Sequence, residues 1–192
     1  MSTTTTTDQQ TGAVDNGVDV EFLRSAREML TAEPGGAAFR WRVTNTWVNG
    51  THSRSTAYDF FGLGDEQRHR TTFAFDTDHP EVFASEDNGA TPVELVLAGL
   101  AGCLTAGIAA IAQQRDIQLR SVTATVEGDS DVRGVLGADP DVRNGFSRIA
   151  VTYEIDADAD DADIEALVAQ SQKRSAVFDV VANPTNVSVQ VR

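Results

Sequence analysis

The chain has 192 residues, 29 acidic against 15 basic, and a net charge of −14. That length suits one domain with a single core. So negative a surface repels nucleic-acid phosphates and anionic membranes, and neither is expected as a partner.

The elements follow in chain order. Residues 1–17 are polar and repetitive and are expected to form a disordered tail, with one folded domain over 18–192. The N-terminus lacks the charged start and apolar core of a signal peptide, so a cytoplasmic location is expected. From Val18 the apolar positions Val20, Phe22, Leu23, Ala26, Met29 and Leu30 form a helical stripe that Pro34-Gly35-Gly36 stops. Phe39–Val48 alternates as a strand and turns at Asn49-Gly50, a hairpin signal. Ser53–Phe61 is then the return strand, and Arg70–Phe75 a third.

Leu95–Ala112 carries no charge and is long enough to cross a membrane. It is rich in Ala and Gly, however, and starts behind Thr91-Pro92-Val93-Glu94, a capping box with proline at the first helical position. A helix over Pro92–Gln114, buried on all sides within a globular domain, is therefore expected. Ser121–Glu127 and Ser147–Ile155 alternate as strands, joined by a long glycine-containing connection. Ala162–Arg174 reads as an amphipathic helix, Ser175–Val181 as a short one broken at Asn183-Pro184, and Asn186–Val191 as a closing strand. Strands, a buried helix, then strands and helices again give an α+β fold.

Lys173 is the only lysine. Dense carboxylates with lysine nearly absent suit a protein adapted to high salt, where screening relieves self-repulsion; an ordinary acidic cytosolic protein is the alternative. Cys103 is the only cysteine, which excludes an internal disulfide and a thiolate metal cluster. In so apolar a segment its thiol is either an inert small hydrophobe or, beside a cation, a strong nucleophile. The N-terminus of its own helix lies too far away to lower its pKa much. His52 and Arg54, two apart, share one face of a strand and are the candidate cations; a solvated hairpin edge is the alternative. The three histidines show no metal-ligand spacing, and Asp129-Ser130-Asp131 fails as a calcium loop because Arg133 stands at a ligand position. No nucleotide-binding or Ser-His-Asp motif is present, so no metal or other cofactor is expected.

Thr91-Pro92-Val93-Glu94-Leu95, continued by Ala98-Gly99-Leu100-Ala101-Gly102-Cys103-Leu104, resembles the signature of the OsmC/Ohr family (osmotically inducible protein C and organic hydroperoxide resistance proteins). Ser175-Ala176-Val177-Phe178-Asp179, followed by Asn183-Pro184 and a valine-rich segment, resembles its second motif. The likeness extends over about Trp41–Val191. It implies antiparallel sheets wrapped around a long central helix in an intertwined homodimer, and thiol-dependent peroxidase chemistry. One cysteine attacks the peroxide, and a second resolves the sulfenic acid. Cys103 matches the attacking residue, while Ser175 stands where the resolving cysteine belongs, so an external thiol or dithiol would have to regenerate the protein.

The family's activating glutamate directly follows the motif proline, where this chain has Val93. Glu94 lies about two and a half helical turns before Cys103, nearly on the opposite face, so a capping role is simpler for it than a catalytic one. Arg54, or else His52, matches the family's arginine near the first hairpin. The resemblance thus implies a single-cysteine peroxidase acting on organic hydroperoxides. The alternative is a non-enzymatic dimer that binds a small apolar molecule, with Cys103 structural or redox-sensing.

Overall fold

A chain with this order of apolar periods needs a helix to carry its core, and the computed structural model, which describes residues 13–191, supplies one at its centre. The elements are α1 (Val20–Ala32), β1 (Arg40–Trp41), β2 (Thr44–Asn49), β3 (His52–Gly62), β4 (Asp65–Thr77), α2 (Pro92–Gln114), β5 (Leu119–Asp129), α3 (Val132–Val135), β6 (Arg148–Ala157), α4 (Asp161–Arg174) and α5 (Ala176–Ala182). Both sheets are antiparallel. In the first, β3 is central, with β1 and β2 along one edge and β4 along the other; the second pairs β5 with β6. The fold is α+β with antiparallel sheets and a central helix, as expected.

The hairpin at Asn49-Gly50 forms, with Gly50 at φ 54°, a conformation open to glycine at no steric cost. Two strands depart from expectation. The single strand expected over Phe39–Val48 is divided between β1 and β2, and the third runs over Asp65–Thr77 rather than Arg70–Phe75. Most of β4 is open to solvent, so its sequence lacks the one-sided alternation that marks a half-buried strand.

The predicted capping box opens α2: Thr91 Oγ1 accepts from Glu94 N at 3.3 Å, and Glu94 Oε2 accepts from Thr91 N at 2.7 Å. Leu100, Leu104, Ile108, Ile111 and Ala112 form its buried face. Ile111 and Ala112 join Ile117, Ala157 and Leu167 in the main core. At Gly107 the helix meets α4 so closely that a Cβ would collide with Ser171 Oγ, which donates to Leu104 O at 2.6 Å. Enclosure on all sides is not achieved by one chain, however. α2 packs on α4, β5 and α5, and the β1–β4 sheet packs mainly on itself. Val93 and Val96 stay exposed, and Gly99 and Gly102 face open space.

Two further expectations change. The first twelve residues of the expected tail lie outside the described residues, but its end is anchored rather than disordered. Gln113 Nε2 donates to Val14 O at 2.8 Å, and the Asn16 side chain donates to Ile117 O at 2.8 Å while accepting from Leu119 N at 2.9 Å. The closing strand expected over Asn186–Val191 does not form. Val187, Val189 and Val191 are 82%, 91% and 99% exposed. A strand needs a neighbouring edge for its backbone groups, and among the described residues no edge pairs with this segment.

The joint between sheet and helix is built on Asp78. Its buried carboxylate accepts from Thr51 Oγ1 at 2.6 Å, His79 N at 2.8 Å, and Asn88 N and Nδ2 at 3.1 and 2.9 Å. These donors, led by the Thr51 hydroxyl, outweigh the penalty of burial and hold the carboxyl far below the usual carboxylate range. A buried carboxylate needs such satisfaction, and here it ties the end of β4 to the loop that starts α2.

Candidate thiol site

Cys103 sits midway along α2, partly buried, on the side that meets α5. Ser175, buried at the α4–α5 junction, donates from Oγ to Cys103 Sγ at 3.1 Å. The same oxygen accepts from Phe178 N at 3.1 Å as the N-cap of α5, which leaves its proton for the sulfur. Burial alone would raise the thiol pKa. The Ser175 hydroxyl, with the backbone N–H groups of Val177 and Ala176, outweighs it, and the pKa is lowered. A helix N-terminus therefore does act on Cys103, but it belongs to α5 and not to the helix that carries the thiol. That proximity follows from tertiary packing, since Cys103 and Ser175 are far apart in the chain.

The candidate cations occupy the other sheet. Arg54 stands opposite Asp76 in the β3–β4 ladder. Its Nε and Nη2 donate to the two Asp76 oxygens at 3.0 and 2.9 Å, and His52 Nε2 lies 2.8 Å from Asp76 Oδ1. Arg54 first and then His52 pull the Asp76 carboxyl below its ordinary value, and Asp76 in turn raises Arg54. His52 and Arg54 thus share a face, as their spacing predicts. Among the described residues no hydrogen bond or ion pair joins either to Cys103 within one chain.

Glu94 stays with its cap. The Thr91 N–H and hydroxyl hold its carboxyl below the usual range. It borders a shallow groove of about 280 Å³ with Leu97, Ala98, Ala101, Ala124 and Val126, which Cys103 does not line. Three participants were not singled out from sequence: Asp76 and the amides of Ala176 and Val177. No group of metal-ligating side chains is present among the described residues.

These features define a class: an α+β domain whose central helix presents one thiol to the N-terminus of a second helix. The sequence pattern described as "OsmC-like protein" matches residues 85–190, and the chain belongs to that family. No curated protein matches the chain in sequence. Among solved structures, an OsmC-like protein from Mycoplasma pneumoniae is 17% identical, with 74% of this chain and 87% of that one covered and a TM-score of 0.57. An organic hydroperoxide resistance protein OsmC from Legionella pneumophila is 21% identical, with coverage of 73% and 89% and a TM-score of 0.51. An OsmC-like protein of unknown function from Vibrio cholerae is 9% identical, with coverage of 73% and 92% and a TM-score of 0.53. At such identities the shared property is the fold.

Proposed function

We propose that this protein is a single-cysteine thiol peroxidase for organic hydroperoxides. The observation that carries this reading is geometric: a partly accessible Cys103 Sγ receives the Ser175 hydroxyl at 3.1 Å and faces the first-turn amides of α5, donors that favour the thiolate. Family membership supports the reading, as does the name of the hydroperoxide resistance protein that shares the fold.

In the reaction, the Cys103 thiolate attacks the terminal peroxide oxygen. An S–O bond forms, the O–O bond breaks, and the alkoxide leaves and takes up a proton as alcohol, leaving Cys103 as sulfenic acid. Ser175 has no sulfur with which to form a disulfide. Two equivalents of an external thiol, or one dithiol, reduce the sulfenic acid to the thiol, with release of water and a disulfide.

Arg54 and His52 stabilise the charge on the leaving oxygen, and a second copy of the chain brings them to Cys103. Several features favour a homodimer: the open face of α2 at Val93, Val96, Gly99 and Gly102, the exposed Trp41 and Phe73 on the β1–β4 sheet, and the unpaired Val187–Val191 segment. The separation of Arg54 and His52 from Cys103 within one chain favours a second reading, a non-enzymatic dimer that binds a small apolar molecule with Cys103 structural or redox-sensing.

The pH dependence of Cys103 alkylation, measured in molar KCl to suit an acidic surface adapted to high salt, separates the two. A thiol pKa below that of a free cysteine, which rises in Arg54→Ala, is expected for the peroxidase. A thiol unreactive until unfolding would leave only the binding protein.

A further inference from the structure

One carboxylate collects both candidate cations, and the peroxidase reading leaves it without a task. Asp76 Oδ1 meets Arg54 Nε at 3.0 Å and His52 Nε2 at 2.8 Å, and Oδ2 meets Arg54 Nη2 at 2.9 Å. We propose that Asp76 is a positioning residue for the thiol chemistry: it clamps the Arg54 guanidinium and selects the tautomer of His52, so that both present their remaining nitrogens as one unit. This rests on the peroxidase reading.

The Arg54 side chain is 60% exposed, and a long side chain so open has little packing to order it, so rotamer entropy favours its disorder. A two-point fork to a carboxylate counters that and fixes the guanidinium plane. The fork engages Nε and one N–H of Nη2, which leaves Nη1 and the second Nη2 proton on the outer edge, free to meet a thiolate or a peroxide oxygen. His52 is held differently, with its side chain only 17% exposed. In the neutral imidazole, the nitrogen facing a carboxylate is the protonated one. Nε2–H is therefore committed to Asp76, and Nδ1 is left to take up the thiol proton and then, as N–H, to meet the leaving oxygen.

Asp76 is itself immobilised by its neighbours. Its peptide carbonyl lies so close to Gly89 that a Cβ there would collide with it, and Thr77 bridges to Ala90. The Asp78 cluster locks the adjoining backbone. The carboxylate thus stands at the joint where the sheet meets the lead-in to the cysteine helix, a rigid support for side chains that must be placed accurately.

The test uses full-length protein with cumene hydroperoxide as substrate and dithiothreitol as reductant, alongside the pH profile of Cys103 alkylation. Asp76→Asn should keep a cooperative unfolding transition while kcat/KM falls about tenfold to a hundredfold, the scale expected when a reacting group is misplaced. Asp76→Glu should recover part of the loss. In an Arg54→Ala/His52→Ala background, Asp76→Asn should cost nothing more, because a residue that acts only through those two has nothing left to position. An unchanged rate in Asp76→Asn, or an equal loss in the background lacking both partners, overturns the inference and leaves the peroxidase reading standing. A wild-type rate in the Arg54→Ala/His52→Ala protein removes those residues from the site and overturns the inference with them. Should Asp76→Asn fail to fold, Asp76→Glu against the same background decides.

Discussion

The thiol and the candidate cations are built in opposite ways. Cys103 is held inside one chain: Ser175, the first turn of α5 and the α2–α4 contact are in place without help from a second copy. Arg54, His52 and Asp76 form a surface cluster whose internal bonds are made but whose outer edge faces solvent. The contrast separates what lowers a thiol pKa from what turns a thiolate into a catalyst. Local amide and hydroxyl donors can do the first within the fold. The second needs a charge aimed at the leaving oxygen, and the candidate charges lie on the sheet least tied to the core.

The largest effect should come from breaking the built half at its tightest point. Gly107→Ala places a methyl against Ser171 Oγ. Ser171 must then rotate and forfeit its bond to Leu104 O, or α4 must move away from α2. Overpacking of this kind costs about 1–3 kcal/mol, partly offset by about 1 kcal/mol of helix propensity. Denaturant unfolding should therefore show a net loss for Gly107→Ala, together with a rise in the alkylation pKa as α4 carries Ser175 away from the thiol. A more stable Gly107→Ala would mean that the two helices do not approach as closely as this structure places them.

Next in size is the Ser175 pair, which sharpens the comparison without touching the sheet. Ser175→Ala removes the hydroxyl donor, so burial regains ground and the thiol pKa should rise, slowing alkylation at neutral pH; loss of the α5 N-cap should also cost about 1 kcal/mol of stability. The sign follows from the thiolate being the species that the hydroxyl stabilises: removing the donor favours the protonated form. Ser175→Cys should do the converse chemistry. With Oγ only 3.1 Å from Cys103 Sγ, a sulfur there can condense with the sulfenic acid. Peroxide treatment should then give an intramolecular disulfide, seen as loss of both free thiols and reversed by dithiothreitol. Two free thiols after oxidation would show that the positions are not aligned for bonding.

The built half was the more legible of the two in the sequence. Thr91-Pro92 and Glu94 announce a helix start whose hydrogen bonds are the observed ones, and the uncharged run to Ala112 marks a core helix. The α5 cap at Ser175 was readable as a helix start, but not as a partner of Cys103, because that proximity depends on how α4 crosses α2. The sheet was harder. Counting back from the Gly62–Asp65 turn pairs Arg54 with Phe73, but an irregularity between Ala57 and Asp59 shifts the register and sets Arg54 opposite Asp76. A bulge of that kind leaves no mark in composition, and so the carboxylate that organises both cations was invisible. The Asn186–Val191 alternation reads as a strand by its periodicity, yet periodicity says only which residues share a face. It does not say whether a partner edge exists in the same chain.

The smallest expected effect bears on Glu94, which lies in the cysteine helix but belongs to neither half of the site. Its carboxylate accepts from Thr91 N at 2.7 Å and from Thr91 Oγ1 at 2.8 Å, and both bonds favour the ionised form. Glu94→Gln keeps an acceptor for the Thr91 N–H and gives up only the charge near the positive end of the α2 dipole. The loss of stability should be about 0.3–1 kcal/mol, and the alkylation profile of Cys103 should not move. Glu94→Ala, which removes the reciprocal bond as well, should cost about 1 kcal/mol. Because its folded pKa is lowered, the stabilisation is present above the ordinary glutamate range and disappears as pH falls through the folded value, so the gap between wild type and Glu94→Gln should close in acid. A change in peroxide turnover larger than the change in stability would instead place this carboxylate in the chemistry, and would mean that the thiol site extends to the first turn of α2.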